Sequence, residues 1–324
     1  MQSQQPLTLS CGLRLPNRIV KAAMAEQLAD TSGLPNERHF GVYKKWAEGG
    51  FGLVITGTII SDDHHQHNRL LLTILLIGNV QIDPRYLGAP GDVFLPSSSS
   101  SAASKDALFT AWESYAQACT NNNTISIVQI NHPGRQSPLG AGSRGIFAKS
   151  IAPSAIPLDF NGGIVGDAIQ KFMFGCPRAM SKDEIAEVVS RFAQTAELAA
   201  EAGFHGCEIH AAHGYLLSQF MSAKTNVRED EYGGTAANRV RIVVEIIRAI
   251  REKVPKNFAV GIKLNSVDQQ GEEMEDRLEQ LRLLKENGGL DFIEVSGGTY
   301  ESPTVRCVFL SQSARLTPCL FSPR

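Results

Sequence analysis

Buried strands and amphipathic helices alternate along most of this 324-residue chain. Short runs rich in β-branched and apolar residues predict six strands, at residues 19–24, 53–58, 125–130, 206–210, 259–264 and 291–296. A helical pattern or a long insertion follows each of the first five. Because a strand that returns through a helix pairs in parallel with its predecessor, this order predicts an α/β fold, two strands short of a closed barrel of eight.

Two segments between the strands carry their own signals. Ser181 and Glu184 form a capping box that opens an amphipathic helix ending near Gly203. By contrast, residues 132–178 are rich in Gly, Pro and Ser and show little periodicity. So long an excursion inside a compact domain predicts a functional loop or a capping insertion.

The strand at residues 206–210 leads into a stretch where candidate catalytic side chains are clustered. Alternation places Glu208 and His210 on one face of this strand. A turn of small residues follows and carries His213 and Tyr215. Three groups that can donate hydrogen bonds or protons, where a strand ends in a loop, favour a reaction site. The alternative is a pair of histidines satisfied at a sheet edge.

Composition narrows the function classes. The 31 basic and 33 acidic residues give a formal charge of −2, which argues against a nucleic-acid-binding surface. The six cysteines include no C-x-x-C pair, so neither a disulfide framework nor a zinc knuckle is indicated. The amino terminus shows no signal-peptide pattern, and the most apolar run, residues 70–77, is too short to span a membrane. We therefore expect a reduced, cytoplasmic protein.

A histidine-rich loop raises the question of a metal. Residues 62–67 include three histidines and two aspartates, which are metal-ligand types. Consecutive residues on a loop rarely converge on one ion, so a solvated loop is the favoured interpretation. A metal-dependent TIM-barrel hydrolase that uses this loop with His210 and His213 is an alternative, but no carboxylate is placed as a third ligand. We predict no metal site.

Several separated motifs occur together and in order. They are Pro16-Asn17-Arg18, Val128 to Gln136, Cys207 to Tyr215, and Asp230 to Gly234 with Asn238-Arg239. With them the chain resembles the old yellow enzyme family of FMN-dependent NAD(P)H:flavin oxidoreductases, most closely its fungal NADH oxidase-like branch. The resemblance implies a TIM barrel in which FMN lies across the carboxyl ends of the strands.

The same resemblance implies contacts with the cofactor. Ala23, Met24 and Thr58 would back the flavin ring, and Gln129 would hydrogen-bond its pyrimidine edge. Arg239 would lie against that edge, where a guanidinium stabilises the negative charge of the reduced ring. Without the resemblance, Arg239 would be assigned to a salt bridge on a helix surface.

Catalytic roles are implied as well. His210 and His213 would direct N–H groups at the oxygen of an electron-poor alkene, the predicted small-molecule partner. Hydride from the reduced FMN would then reach the β-carbon, and Tyr215 would protonate the α-carbon. NADPH or NADH would reduce the flavin beforehand. Whether the protein forms a homo-oligomer is left open.

The resemblance ends near residue 304. We therefore predict an incomplete FMN-binding barrel over residues 1–304, with residues 131–180 as a capping insertion after the third strand, and a divergent tail over residues 305–324. The tail lacks strand–helix–strand periodicity and a glycine-rich phosphate cradle. Strands seven and eight, whose loops normally bind phosphate in such barrels, are therefore predicted to be missing. The alternative is a truncated, flavin-free barrel without activity.

A barrel without those two strands has exposed sheet edges. The first and sixth strands would each present unpaired backbone groups, which invite aggregation. The two edges are therefore an aggregation liability unless a partner or the tail covers them.

Overall fold

In the computed structural model, the residues described here are 2–24, 28–57, 80–89, 91–95, 105–145, 147–160, 163–265, 272–298, 301 and 308–311. Three stretches singled out in the sequence lie outside them: Thr58, the histidine-rich loop at residues 62–67, and the apolar run at residues 70–77. Most of the predicted tail also lies outside them.

The chain opens with a short antiparallel hairpin of β1 (Leu7–Thr8) and β2 (Arg14–Leu15). The elements that follow are, in order, β3 (Val20–Lys21), α1 (Glu37–Glu48), β4 (Leu53–Thr56), β5 (Val80–Gln81), α2 (Lys105–Cys119), β6 (Ile125–Asn131), β7 (Ile151–Ala152), α3 (Gly163–Met173), β8 (Arg178–Ala179), α4 (Lys182–Glu201), β9 (Gly206–Ala211), α5 (Leu216–Met221), α6 (Ala236–Lys253), β10 (Ala259–Asn265), α7 (Glu272–Asn287), β11 (Phe292–Ser296) and β12 (Val308–Ser311). None of the helices within the described ranges combines the length and apolar character that a membrane crossing needs.

The short strand β5 pairs in parallel with β6 beside the main path of the sheet. Six parallel strands form that path, in the order β3-β4-β6-β9-β10-β11. They coincide with the six strands predicted from the sequence, so the α/β prediction is confirmed. Within the described residues no further parallel strand follows β11. Instead β12 pairs with β11 in antiparallel fashion, so part of the tail covers the edge of the sixth strand.

The two faces of the sheet bury different partners. Ile209 and Ile262 point outward and join the helices in the main apolar core. Ile127 and Phe292 point inward, near the amino ends of their strands, and pack with Leu15 of the hairpin. The hairpin therefore closes the amino-terminal end of the barrel, and the carboxyl-terminal end is left for a site.

One glycine sets the spacing between two barrel strands. A Cβ at Gly261 on β10 would lie 2.0 Å from the ring of Phe292 on β11. No side chain larger than hydrogen fits there, because the aromatic ring already occupies the space. The close approach fixes the inner layer directly beneath the polar residues of the site.

Ser181 and Glu184 form the predicted capping box. The Ser181 hydroxyl accepts a hydrogen bond from the Glu184 amide at 3.2 Å, and the Glu184 carboxylate accepts one from the Ser181 amide at 2.9 Å. The cap fixes the start of α4, which delivers the chain to β9.

The predicted insertion carries more regular structure than its sequence indicated. It contains helix α3 and the parallel pair β7–β8. The helix was missed because Gly163 and Gly166 lower its propensity. In addition, its apolar residues Ile164 and Phe172 are 90% and 85% exposed and so do not mark a buried face.

Candidate active site

The inward face of the sheet changes from apolar to polar toward the carboxyl ends of the strands. The polar residues are Gln129 on β6, Glu208 and His210 on β9, Lys263 on β10, and Glu294 and Ser296 on β11, all at most 4% exposed. Polar groups buried this deeply require partners, because they have lost their contact with water. This is also the end of a barrel where enzymes carry their active sites.

Gln129 and Glu208 are direct neighbours across the β6–β9 ladder. The Gln129 side-chain amide nitrogen donates to Glu208 Oε1 at 2.5 Å. Burial, followed by the proximity of Glu294, raises the pKa of Glu208 well above that of an ordinary carboxyl. Glu208 therefore keeps its proton to higher pH than an exposed glutamate does.

A buried ion pair lies on the next two strands. Lys263 on β10 faces Glu294 on β11 in the ladder, and its Nζ lies 2.9 Å from Glu294 Oε1. Both side chains are at most 4% exposed. An ion pair this deep depends on close geometry, because each charge has given up its hydration. The pair supplies one fixed cation at the carboxyl end of the barrel.

His210 and His213 lie side by side, with ring centroids 5.0 Å apart. The Ala212 amide donates to His210 Nδ1 at 3.2 Å, so neutral His210 carries its proton on Nε2. His213 Nε2 lies 2.8 Å from the Ser296 hydroxyl. Burial, and after it Lys263, lowers the pKa of His213 to about 3, and the pKa of His210 is lowered well below its usual value. Both rings are therefore neutral at neutral pH.

The turn between the two histidines and Tyr215 is tightly wound. His213 has a φ of +57°, in the left-handed region, and its amide donates to Asn265 Oδ1 at 2.8 Å. Tyr215 is the N-cap residue of helix α5 and is fully buried, and its ring is nearly perpendicular to that of His210, with centroids 4.7 Å apart. The structure thus brings the three predicted catalytic residues together, while their catalytic roles remain predictions.

The predicted ring-backing residues lie at the end of the first barrel strand. Ala23 packs against the inner apolar layer, and the Met24 side chain is 51% exposed. A Cβ at Gly57 would lie 2.4 Å from the Met24 carbonyl oxygen, so the ends of the first and second strands nearly touch. The Tyr43 hydroxyl holds Gly57 in place by donating to its carbonyl at 2.9 Å and accepting from its amide at 2.8 Å.

Arg239 lies apart from this cluster. It is on α6, and its guanidinium donates to the Met221 carbonyl at 3.2 Å, to the Gly234 carbonyl and to Asp276 on α7. These bonds tie the outer helices together, and Arg239 is only 4% exposed, so it lies neither in the His210 cluster nor on a helix surface. The cation that the structure places beside the His210 cluster is Lys263, since Lys263 and His210 are ladder neighbours.

Sequence reasoning missed Lys263, Glu208 and Glu294 as site residues. A signal was present for the first of them, because a lysine interrupts the apolar run at residues 259–264 on its inward-facing positions. The pairing of the three residues could not be read from the sequence, because it depends on the register of separate strands.

Hydrogen bonds join the insertion after the third barrel strand to the segment after the sixth. Buried Arg135, just after β6, donates to the Pro157 carbonyl at 2.6 Å and to Glu301 Oε2 at 2.9 Å. Glu301, which follows β11, also accepts a hydrogen bond from the Asp159 amide at 2.8 Å. The loops after the third and sixth barrel strands are thereby joined to each other.

Within the described ranges, no group of three or more His, Cys, Asp and Glu side chains is arranged to hold a metal ion. The histidine-rich loop of the hydrolase alternative lies outside those ranges.

Comparison with known proteins places this site in a family. The sequence profile of the NADH:flavin oxidoreductase / NADH oxidase family matches residues 99–300. The chain is 48% identical over 306 residues to an NADH-dependent flavin oxidoreductase of Neonectria sp. (strain DH2), covering 94% of this chain and 37% of that protein. It is 45% identical over 301 residues to an NADH-dependent flavin oxidoreductase of Talaromyces variabilis, covering 92% and 66%. The solved structure of morphinone reductase matches with a TM-score of 0.68 at 25% identity, covering 90% of this chain and 71% of that one.

The barrel fold, with buried polar residues at the carboxyl ends of its strands, is that of a barrel enzyme. The chain belongs to the NADH:flavin oxidoreductase / NADH oxidase family. The predicted family and barrel fold are thereby confirmed. The chain spans 37% and 66% of the lengths of the two curated relatives described above.

Proposed function

We propose that the chain is an FMN-dependent NAD(P)H oxidoreductase that delivers hydride to an activated alkene or a similar small-molecule acceptor. The observation that carries the proposal is the cluster of His210, His213, Tyr215, Gln129 and Lys263 at the carboxyl end of the barrel. The alkene and a cytoplasmic location are predictions that rest on the sequence.

The donor set fits the polar edge of a flavin ring. Gln129 offers an amide whose nitrogen donates to Glu208 and whose oxygen would accept from the ring. Lys263 offers a buried ammonium, which would stabilise negative charge on the reduced ring. In this proposal Gln129 and Lys263 would hold the ring edge, and Lys263 takes the role that the resemblance gave to Arg239.

The chemistry that FMN supplies when bound is the acceptance of hydride from NADH or NADPH and its delivery to the acceptor. The described residues include no loops of a seventh or eighth barrel strand, where such barrels bind the cofactor phosphate. The fit of this chain to FMN is therefore argued for the ring alone.

The two histidines would polarise the acceptor. Neutral His210 donates from Nε2, and its neighbour His213 lies 5.0 Å away between ring centroids. Neutral rings at this site are favourable, because they hydrogen-bond an acceptor oxygen without the cost of burying a second cation beside Lys263. Tyr215, edge-on to His210, would donate its phenolic proton to the acceptor carbon.

The primary test is the visible absorption spectrum of the purified chain with added FMN, followed by anaerobic addition of NADH or NADPH. We expect a bound-flavin band that bleaches with the nicotinamide. A protein that stays colourless and gains no thermal stability from FMN would overturn the proposal for this chain and support the flavin-free alternative.

Two substitutions separate the proposed roles. His210→Ala should lower kcat toward an enone by about 10²–10³-fold, as expected for the loss of a donor to a developing oxyanion. Tyr215→Phe should slow enone reduction by about 10²-fold while leaving flavin reduction by NADH unchanged, because the tyrosine acts only as a proton donor. Stopped-flow absorbance resolves the two half-reactions.

Matched controls exist in the same chain. His205 lies just before β9, at its other end, and contacts the Ser126 amide through Nδ1 at 3.3 Å. Tyr232 donates to Glu245 on the outer helices at 3.0 Å. His205→Ala and Tyr232→Phe should leave both half-reactions near their original rates; equal losses in the control variants would contradict the assigned roles.

A further inference from the structure

We propose that Glu208 and Glu294 hold one proton between them and act as positioning residues, Glu208 for the amide of Gln129 and Glu294 for the ammonium of Lys263. The link to the flavin rests on the proposed function, whereas the shared proton does not.

Charge balance is the first argument. Glu208, Lys263 and Glu294 occupy three adjacent strands, and each side chain is at most 4% exposed. Two carboxylates and one ammonium would bury a net charge of −1, whereas one added proton makes the cluster neutral. Because an uncompensated buried charge costs several kcal/mol, the neutral form is favoured.

Unsatisfied atoms are the second argument. Glu208 Oε2 and both oxygens of Glu294 are buried and make no hydrogen bond of good geometry, although Glu294 Oε1 is in ion-pair contact with Lys263. A proton between Glu208 Oε2 and the Glu294 carboxylate would satisfy an oxygen on each side. Burial and then Glu294 raise the pKa of Glu208, which agrees with a proton held by the pair.

The other titratable groups around the pair do not supply the missing charge. His210 and His213, at the carboxyl end of β9, have pKa values lowered by burial and are neutral. Cys207 lies beside Glu208 in the chain and points outward, and burial raises the pKa of its thiol to about 12. Lys263 is therefore the cation that balances the two carboxyls.

The shared proton explains the orientation of Gln129. With the proton on the Oε2 side, Glu208 Oε1 remains a pure acceptor, so it can bond only the NH₂ group of Gln129. The carboxamide oxygen must then face away from Glu208, and the amide cannot flip without losing the 2.5 Å hydrogen bond. Glu294 in turn fixes the position of Lys263. One carboxyl pair thereby determines the positions of both groups that are proposed to hold the ring edge.

The test uses infrared difference spectroscopy on the whole chain without FMN, in H₂O and D₂O. Asp92 is a second buried acid, with its pKa raised to about 7, so all proteins carry Asp92→Asn to remove its signal. We expect the carbonyl stretch of one protonated carboxyl, at the low frequency of a strongly hydrogen-bonded acid. Neither Glu208→Gln nor Glu294→Gln should show this band, because the single carboxylate left in each variant is balanced by Lys263.

The outcomes separate a shared proton from a lone acid. A band that persists in Glu294→Gln would mean that Glu208 is protonated by itself, which overturns the proposal. In the protein with both glutamates intact, a band at the frequency of a free acid would also overturn it, and this measurement does not depend on whether a variant folds. Failure to bind FMN would count against the proposed function alone.

Discussion

Lys263→Met should lower the free energy of unfolding by about 3–5 kcal/mol, the usual cost of removing one partner from a buried ion pair. Glu294 would be left buried without its ion-pair partner, since Lys263 Nζ lies 2.9 Å from its Oε1. Urea unfolding at neutral pH measures the loss.

Lys253→Met is the matched control for this substitution. Lys253 Nζ lies 2.5 Å from Glu197 on a neighbouring helix, but the two side chains are 38% and 37% exposed. Because water solvates both charges and salt screens them, the control should cost less than about 1 kcal/mol under the same conditions. Equal losses in the two variants would refute the explanation by burial.

A pair of substitutions should change the pH dependence of stability in opposite directions. Burial lowers the pKa of His132 to about 4 and raises that of Asp92 to about 7. The contribution of His132 to the free energy of unfolding is complete above its unfolded-state pKa, about 6.5. This contribution is lost as the pH falls toward 4. The contribution of Asp92 to the free energy of unfolding is complete below its unfolded-state pKa, about 4. This contribution is lost as the pH rises through 7.

His132→Asn keeps an acceptor for the Gly134 amide, which bonds His132 Nδ1 at 3.0 Å. Relative to the original chain, this variant should gain about 2–3 kcal/mol of stability between pH 8 and pH 4, since one pKa unit is worth about 1.4 kcal/mol. Asp92→Asn should show the opposite trend, losing relative stability as the pH falls from 8 to 4. Urea midpoints across this range give both differences, and parallel profiles for the two variants would contradict the assigned shifts.

The sequence predicted the six barrel strands because each is a short apolar run bounded by turn residues, and helices such as Ala236–Lys253 follow from their period. It also predicted that His210, His213 and Tyr215 lie together, since all three sit within one strand end and its turn. Proximity along the chain was sufficient there.

What the sequence did not predict are relations between distant segments. The Gln129–Glu208 bond and the Lys263–Glu294 pair join residues on separate strands, and alternation gives the face of a residue but not its neighbour on the next strand. Arg239 fails for a related reason: a motif names a residue type, whereas its acceptors on Met221 and Asp276 are set by helix packing.

The antiparallel strand β12 occupies the edge of β11, so any further strand would compete with it for the same backbone hydrogen bonds. A strand edge can pair with one neighbour at a time, and Val308–Ser311 already occupies it opposite residues 292–295. Any segment that extends the barrel in parallel beyond β11 must first displace these four residues from that edge. Growth of the sheet at this side is therefore an exchange of one strand for another rather than a simple addition.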